Sequence, residues 1–149
     1  MKACVIFLVG HANWGKSETL FYLANRSRHK ALINIGDNRF FIRHMSNDDY
    51  PSNYFDLLKR IEIYFRPYMI APLCPIISDN KIENLFNQLK DKGYELFFWI
   101  MKHQYRNDNS IKQEEIDFLK QFGKTSIYSN REEANIRASI FKDYILSQF

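Results

Sequence analysis

Cysteine is nearly absent from this chain. Its 149 residues hold two, Cys4 and Cys74, each inside an apolar run and with no metal-ligand spacing between them. That pattern argues against a disulfide framework or a metal–cysteine cluster and leaves two buried thiols in a reducing compartment. Long apolar runs are lacking as well, since no stretch approaches the ~20 residues a membrane span requires. The apolar run behind Met1-Lys2 is at the short limit for a signal peptide, and cleavage near Ala12 would cut a glycine loop in half. A cytoplasmic chain without a membrane partner is therefore expected. With only five glycines and four prolines, and no internal repeat, there is no linker or low-complexity segment, so 1–149 reads as one domain.

What is present is a foldable core. At 46% hydrophobic and 16% aromatic residues the chain can bury enough apolar surface to exclude disorder. The formal charge of +4 is mildly basic, which suits a polyanionic ligand without demanding nucleic acid.

The most informative stretch is Gly10-His11-Ala12-Asn13-Trp14-Gly15-Lys16-Ser17, which fits the phosphate-loop pattern G-x-x-x-x-G-K-S without a mismatch. Before it lies Cys4-Val5-Ile6-Phe7-Leu8-Val9, an apolar run suited to a strand buried on both faces. After it, Leu20, Leu23 and Ala24 recur at helical spacing. Strand, glycine loop and helix in that order place backbone N–H groups and the positive helix end around one anion. Gly10 and Gly15 permit the loop's backbone angles. Lys16 supplies a mobile charge for the β- and γ-phosphates, and Ser17 an oxygen ligand for Mg²⁺. Asn13, Trp14 and Glu18 complete the set expected to line a nucleoside triphosphate. Trp14 serves either as a stacking surface or as packing beside the loop. The competing reading is a glycine turn between strand and helix that merely resembles the motif, and it is disfavoured because strand, turn and helix all fall in the required places.

Downstream, strand-like and helix-like patterns alternate. The cations of 25–30 (Arg26, Arg28 and Lys30) read as charge at a helix C-terminus or as a phosphate-binding patch. Residues 31–35 and 39–43 flank Gly36-Asp37-Asn38 as a hairpin. A helix is expected over 52–65 and a strand over 68–77, followed by a helix capped by Ser78 or Asp79 and ended by Gly93. A central strand over 94–101 precedes the polar loop 102–109. A helix from a Ser110/Gln113 capping box to Phe122 follows, closed by Gly123. A short strand over 124–128 leads to a last helix capped at Ser129 or Asn130, with Ile136, Ile140, Tyr144 and Ile145 on its apolar side. The alternation predicts an α/β fold. It is a three-layer sandwich around a mainly parallel five-stranded sheet, with an extra hairpin strand after the second.

With its loop and element order together, the chain resembles the phosphate-loop NTPase superfamily, the motif likeness being confined to Gly10–Ser17. A GTPase of that superfamily would resemble N-K-x-D and D-x-x-G patterns. Here Asn80-Lys81-Ile82-Glu83 is a near miss placed too early, and no D-x-x-G occurs. Motor and transporter ATPases would show an acidic strand end, whereas the candidate strands end Leu73-Cys74-Pro75 and Ile100-Met101-Lys102. The remaining likeness is to the small P-loop kinases. It implies ATP and Mg²⁺, with γ-phosphoryl transfer to a small-molecule or nucleotide hydroxyl. By that resemblance Asp48 (or its neighbour Asp49) is the acceptor base. Lys102, His103 and Arg106 stand where a phosphate lid would be, and Ser129, Asn130 and Arg131 lie near the nucleotide base. The alternative is an ATPase or nucleotide-sensing module completed by a protein partner. A nucleic-acid end kinase is a further variant, with Arg26, Arg28 and Lys30 on the backbone phosphates.

Overall fold

A computed structural model of the chain describes residues 2–106 and 108–149. The elements are β1 (Cys4–Val9), α1 (Lys16–Leu23), β2 (Leu32–Ile35), β3 (Asn38–Ile42), α2 (Pro51–Arg60) and β4 (Tyr68–Leu73). They continue with α3 (Asn80–Asp91), β5 (Glu95–Met101), α4 (Gln113–Lys120), β6 (Lys124–Tyr128) and α5 (Ala134–Ser147). One sheet contains all six strands in the order β2-β3-β4-β1-β5-β6. Every pairing is parallel except the β2–β3 hairpin. The fold is thus the expected α/β sandwich, with one reversal of roles. It is β3, the hairpin's second strand, that joins the parallel sheet, while β2 forms the antiparallel edge.

β1 is completely buried because strands pair with it on both sides and helices cover both faces. On one face Phe7 meets Phe86 of α3 edge-on and stacks on Phe98, and Phe86 also contacts Phe118 and Phe122. On the other face Trp99 packs against Phe141 of α5, and α5 lies along α1. These aromatic contacts bury large side chains in edge and stacked geometries that add to the area term. Among the described residues no helix is long and apolar enough to cross a membrane. Both cysteines are buried and free, and burial pushes the Cys4 thiol up to about 12.

Several element ends depart from the sequence expectation, each for a tertiary reason. β4 stops at Leu73 and not at Ile77, because the side chain of Asn47 takes over both backbone groups of Cys74. Its Oδ1 accepts from Cys74 N at 2.7 Å and its Nδ2 donates to Cys74 O at 3.0 Å. α2 ends at Arg60 rather than Phe65, since the Lys92 ammonium donates to the carbonyls of Lys59 and Ile61 at the helix end. Tyr64 and Phe65 are left 85% and 66% exposed instead of extending the apolar stripe. α4 opens at Gln113 with Glu115 accepting from Lys112 N at 2.9 Å, while Ser110 pairs with His103 instead of capping. α5 opens at Ala134 without a side-chain cap, so neither Ser129 nor Asn130 serves as one. Its inward face is Arg137, Ala138, Phe141 and Ile145, and Ile136 is 45% exposed. Asp79 does cap α3, accepting from Lys81 N at 2.9 Å.

Gly93 has the left-handed backbone expected after a helix (φ 102). Gly123 does not, and its reason is space: a Cβ there would stand 2.2 Å from the carbonyl oxygen of Leu96. Because that obstacle is backbone, Gly123→Ala is expected to cost roughly 3 kcal/mol, the upper range for overpacking. The thermal midpoint should fall by about 6–12 °C in a melting experiment. An unchanged midpoint would mean that α4 and β5 do not approach so closely.

Candidate functional site

The chain crosses from one side of β1 to the other between β4 and β5, so a crevice opens at the carboxyl ends of these strands. Open α/β sheets bind ligands in such crevices. Here it is a cavity of about 730 Å³. The glycine loop and the start of α1 form its floor. The 44–49 segment, residues 104–106 and the start of α5 form its walls.

Loop geometry follows from the residues at its bends. Asn13 and Gly15 take left-handed angles (φ 66 and 83), which Asn tolerates and Gly adopts freely. Lys16 is only 6% exposed. Its ammonium turns back beneath the loop, donating to Gly10 O at 2.7 Å and His11 O at 2.8 Å. Burial pushes the Lys16 pKa below its ordinary value, and the Asp48 carboxylate opposes that shift. Asp48 Oδ1 lies 4.0 Å from Lys16 Nζ and is buried without a hydrogen-bond partner. It is brought there by its neighbour, because the Asn47–Cys74 pairing pins the 44–49 segment to the end of β4.

Sequence reasoning missed Arg137. Its guanidinium, 5% exposed, donates to Thr19 Oγ1 at 2.8 Å, Gly15 O at 3.1 Å and Glu132 O at 3.1 Å. The Thr19 hydroxyl in turn donates to Gly15 O at 2.8 Å. No carboxylate among the described residues comes within ion-pair distance of Arg137, and burial lowers its pKa. The only sequence signal was an arginine at one position of an otherwise apolar helix face, between Ile136 and Ala138. Also unforeseen is the brace on His11. Its Nε2 lies 2.9 Å from the buried Glu115 carboxylate of α4, and its Nδ1 lies 3.8 Å from Cys74 Sγ. Burial raises the Cys74 pKa, so that thiol is a neutral neighbour and not a nucleophile.

The other expected residues divide into two groups. Ser17 and Glu18 are exposed to the cavity on the first turn of α1, and Gly10 sits behind the loop with its N–H on Leu73 O. The Trp14 indole is 5% exposed and edge-on to His11. It packs beside the loop, the second of its two readings, and still borders the cavity. Arg106 reaches the cavity rim, and Gln104 touches the loop itself, donating to Asn13 O at 3.2 Å. Asn107, part of the expected polar loop, lies outside the described residues. Lys102 and His103 do not line the cavity, and neither does Asn130, which is exposed. There the cavity is bordered by Glu133, Ala134 and Asn135. Asn80-Lys81-Ile82-Glu83 forms the first turn of α3 and also takes no part in the lining.

No family model matches the chain, and no curated protein matches it. Among solved structures it is similar to the solution NMR structure of a de novo designed P-loop fold protein. The TM-score is 0.54 and the identity 11%, over 99% of this chain and 96% of that chain. At that identity the likeness concerns the fold alone.

Lys16 and Arg137 make two buried cations beneath one loop, and among the described residues Asp48 is the one carboxylate within 4.0 Å of either. Without a counter-charge, the guanidinium's desolvation offsets much of its hydrogen bonding. Arg137→Met should therefore leave the ligand-free melting midpoint within about 4 °C. The same substitution should weaken tripolyphosphate binding, measured by calorimetry, at least tenfold. Full retention of anion affinity would make Arg137 a structural brace only.

Proposed function

We infer that this chain binds Mg-ATP on the Gly10–Ser17 loop and transfers the γ-phosphoryl group to a hydroxyl acceptor held near Asp48. The observation that carries the reading is the pairing of Lys16 with an unsatisfied, buried Asp48 oxygen 4.0 Å away, in one cavity. A carboxylate with a free lone pair beside a phosphate-binding cation is what proton removal from an acceptor hydroxyl requires.

Phosphoryl transfer needs positioning and charge neutralisation more than covalent assistance. Lys16 and the loop N–H groups hold the β- and γ-phosphates, with the Arg137 charge directly behind Gly15. The acceptor oxygen forms a bond to the γ-phosphorus, its proton passes to Asp48, and the β–γ bridging bond breaks towards the diphosphate. Ser17 is the loop's oxygen donor, exposed to the cavity. Mg²⁺ takes few protein ligands when phosphates supply the rest, so the residues present fit it. When bound it would neutralise phosphate charge. The Gln104–Asn13 contact and Arg106 at the rim let the 104–106 segment cover the phosphates.

One observation favours a second reading. β4 ends at Leu73 followed by Cys74, so the strand itself brings no carboxylate to the loop. A module that senses or hydrolyses the nucleotide with a partner's help tolerates that lack.

Following the γ-phosphate of labelled ATP in the presence of small-molecule acceptors separates the two. Wild-type protein is expected to yield a labelled organic phosphate. Asp48→Asn should keep nucleotide affinity within about threefold and lose roughly 10²–10⁴-fold in transfer rate. Lys16→Ala should lose nucleotide binding. Label released only as inorganic phosphate would establish the second reading and end the role of Asp48 as base.

A further inference from the structure

Two residues lining the cavity, Tyr22 of α1 and His44, have no part in the phosphotransfer reading. Each ties the cavity wall to the 25–30 segment. The Arg26 guanidinium lies over the Tyr22 ring at 6.0 Å, and His44 Nε2 donates to Lys30 O at 2.7 Å. Arg26, Arg28 and Lys30 are all exposed. No carboxylate among the described residues lies within ion-pair distance of any of them.

Helix chemistry does not explain these cations. α1 ends at Leu23 with no basic residue in its last turn, and the helix-dipole effect fades beyond that turn. Its carbonyls are already satisfied by a Schellman closure, with Asn25 N on Tyr22 O and Arg26 N on Phe21 O. That closure holds Asn25 and Arg26 at φ 55 and 65, a conformation uncommon for a residue as bulky as arginine. Arg28 then folds over Phe21 at 4.7 Å. The result is a cationic stretch joined to the cavity wall, with Arg26 over the Tyr22 ring and Arg28 over the Phe21 ring.

We propose that the acceptor is the 5′-hydroxyl end of a single-stranded polynucleotide, with its backbone phosphates on Arg26, Arg28 and Lys30. This rests on the phosphotransfer reading of the same cavity. None of the three cations lines the cavity, so an acceptor small enough to sit inside it never meets them. A chain entering by its end does. Single strands bind through such combinations of tracking cations and stacking rings. Tyr22 and Tyr105 offer rings within the cavity, and Tyr50 is 57% exposed. The terminal oxygen bonds to the γ-phosphorus, its proton goes to Asp48, and the nucleoside diphosphate leaves with the bridging electron pair. The product is a 5′-phosphomonoester end.

The test uses a short oligothymidylate with a free 5′ hydroxyl and a 3′ fluorophore, followed by anisotropy between about 50 and 200 mM salt. Wild-type protein is expected to bind it with a steep salt dependence. Arg28→Gln/Lys30→Gln should bind roughly tenfold more weakly at the low-salt end. Its log–log salt slope should be shallower by about 1.4, two phosphates at ~0.7 each. The variant's melting midpoint, matching wild type, separates lost charge from lost fold. Labelled ATP should mark the oligonucleotide's 5′ end. Absence of salt-dependent binding, or a variant that binds like wild type, overturns the proposal. Label on small hydroxyl compounds but not on the oligonucleotide overturns it while leaving the phosphotransfer reading standing. Label on no acceptor overturns both.

Discussion

The buried ammonium of Lys16 constrains everything around it. A lysine 6% exposed must find acceptors, and it finds them in the carbonyls of Gly10 and His11, on the loop that carries it. The loop is thereby wrapped around its own cation, while the N–H groups of Gly10 and Trp14 are taken by Leu73 O and His11 O. Gly15 must adopt φ 83 for the turn to close, and a side chain there would meet the Arg137 guanidinium at 2.5 Å. One charge at the base of the loop thus dictates the glycine, the arginine behind it and the helix face that supplies that arginine.

The remaining walls are fixed by single polar pins onto the same end of the sheet. Asn47 holds the Asp48 segment to Cys74, and Tyr54 of α2 donates to Pro72 O at 2.7 Å. His11 is braced by Glu115, which also closes the start of α4. Each pin satisfies backbone or side-chain groups that a strand end would otherwise leave buried and unpaired. Pro72 lacks the N–H of an ordinary strand residue, yet its carbonyl is used here as an anchor. Elements from both sides of β1 thus meet where the loop and Asp48 face each other.

Local chemistry was legible in the sequence, and long-range chemistry was not. The strand–loop–helix unit, the alternation of elements and the Asp79 cap follow from contiguous residues, and so did the pattern that singled out Lys16. The hairpin was legible too, but which of its strands joins the sheet depends on pairing with β4 across intervening residues. Asn47 read as part of a polar cluster because its partner, Cys74, is 27 positions away. Arg137 bonds Thr19 across 118 positions, and no periodicity reveals that. In the last helix Ile140, Tyr144 and Ile145 do pack on the core, but its first turn departs for the same reason: Ile136 outside and Arg137 inside contradicts hydrophobicity, and the buried acceptors at the loop justify it.

That inversion of apolar and charged residues is what supports an anion-binding reading of the cavity. A fold under selection for stability alone gains by replacing an uncompensated buried arginine with an apolar residue of similar size. Here two cations are kept below one loop with a single carboxylate 4.0 Å from one of them. Two unit charges at that distance interact by about 4 kcal/mol at an effective dielectric near 20. Asp48 therefore offsets part of the Lys16 charge, and Glu18 acts on the guanidinium from beyond ion-pair distance. Around the cavity Lys16, Arg106 and Arg137 face Glu18, Asp48, Asp49 and Glu133, so it is the two buried cations at the loop, and not a net positive lining, that favour an anion. An anion entering there restores the solvation that burial removed from both side chains, and its binding in turn stabilises the fold through mass action. The loop conformation itself is already set before any ligand arrives, held by Lys16 from below and Arg137 from behind. Affinity is therefore not diminished by the entropy of ordering the loop.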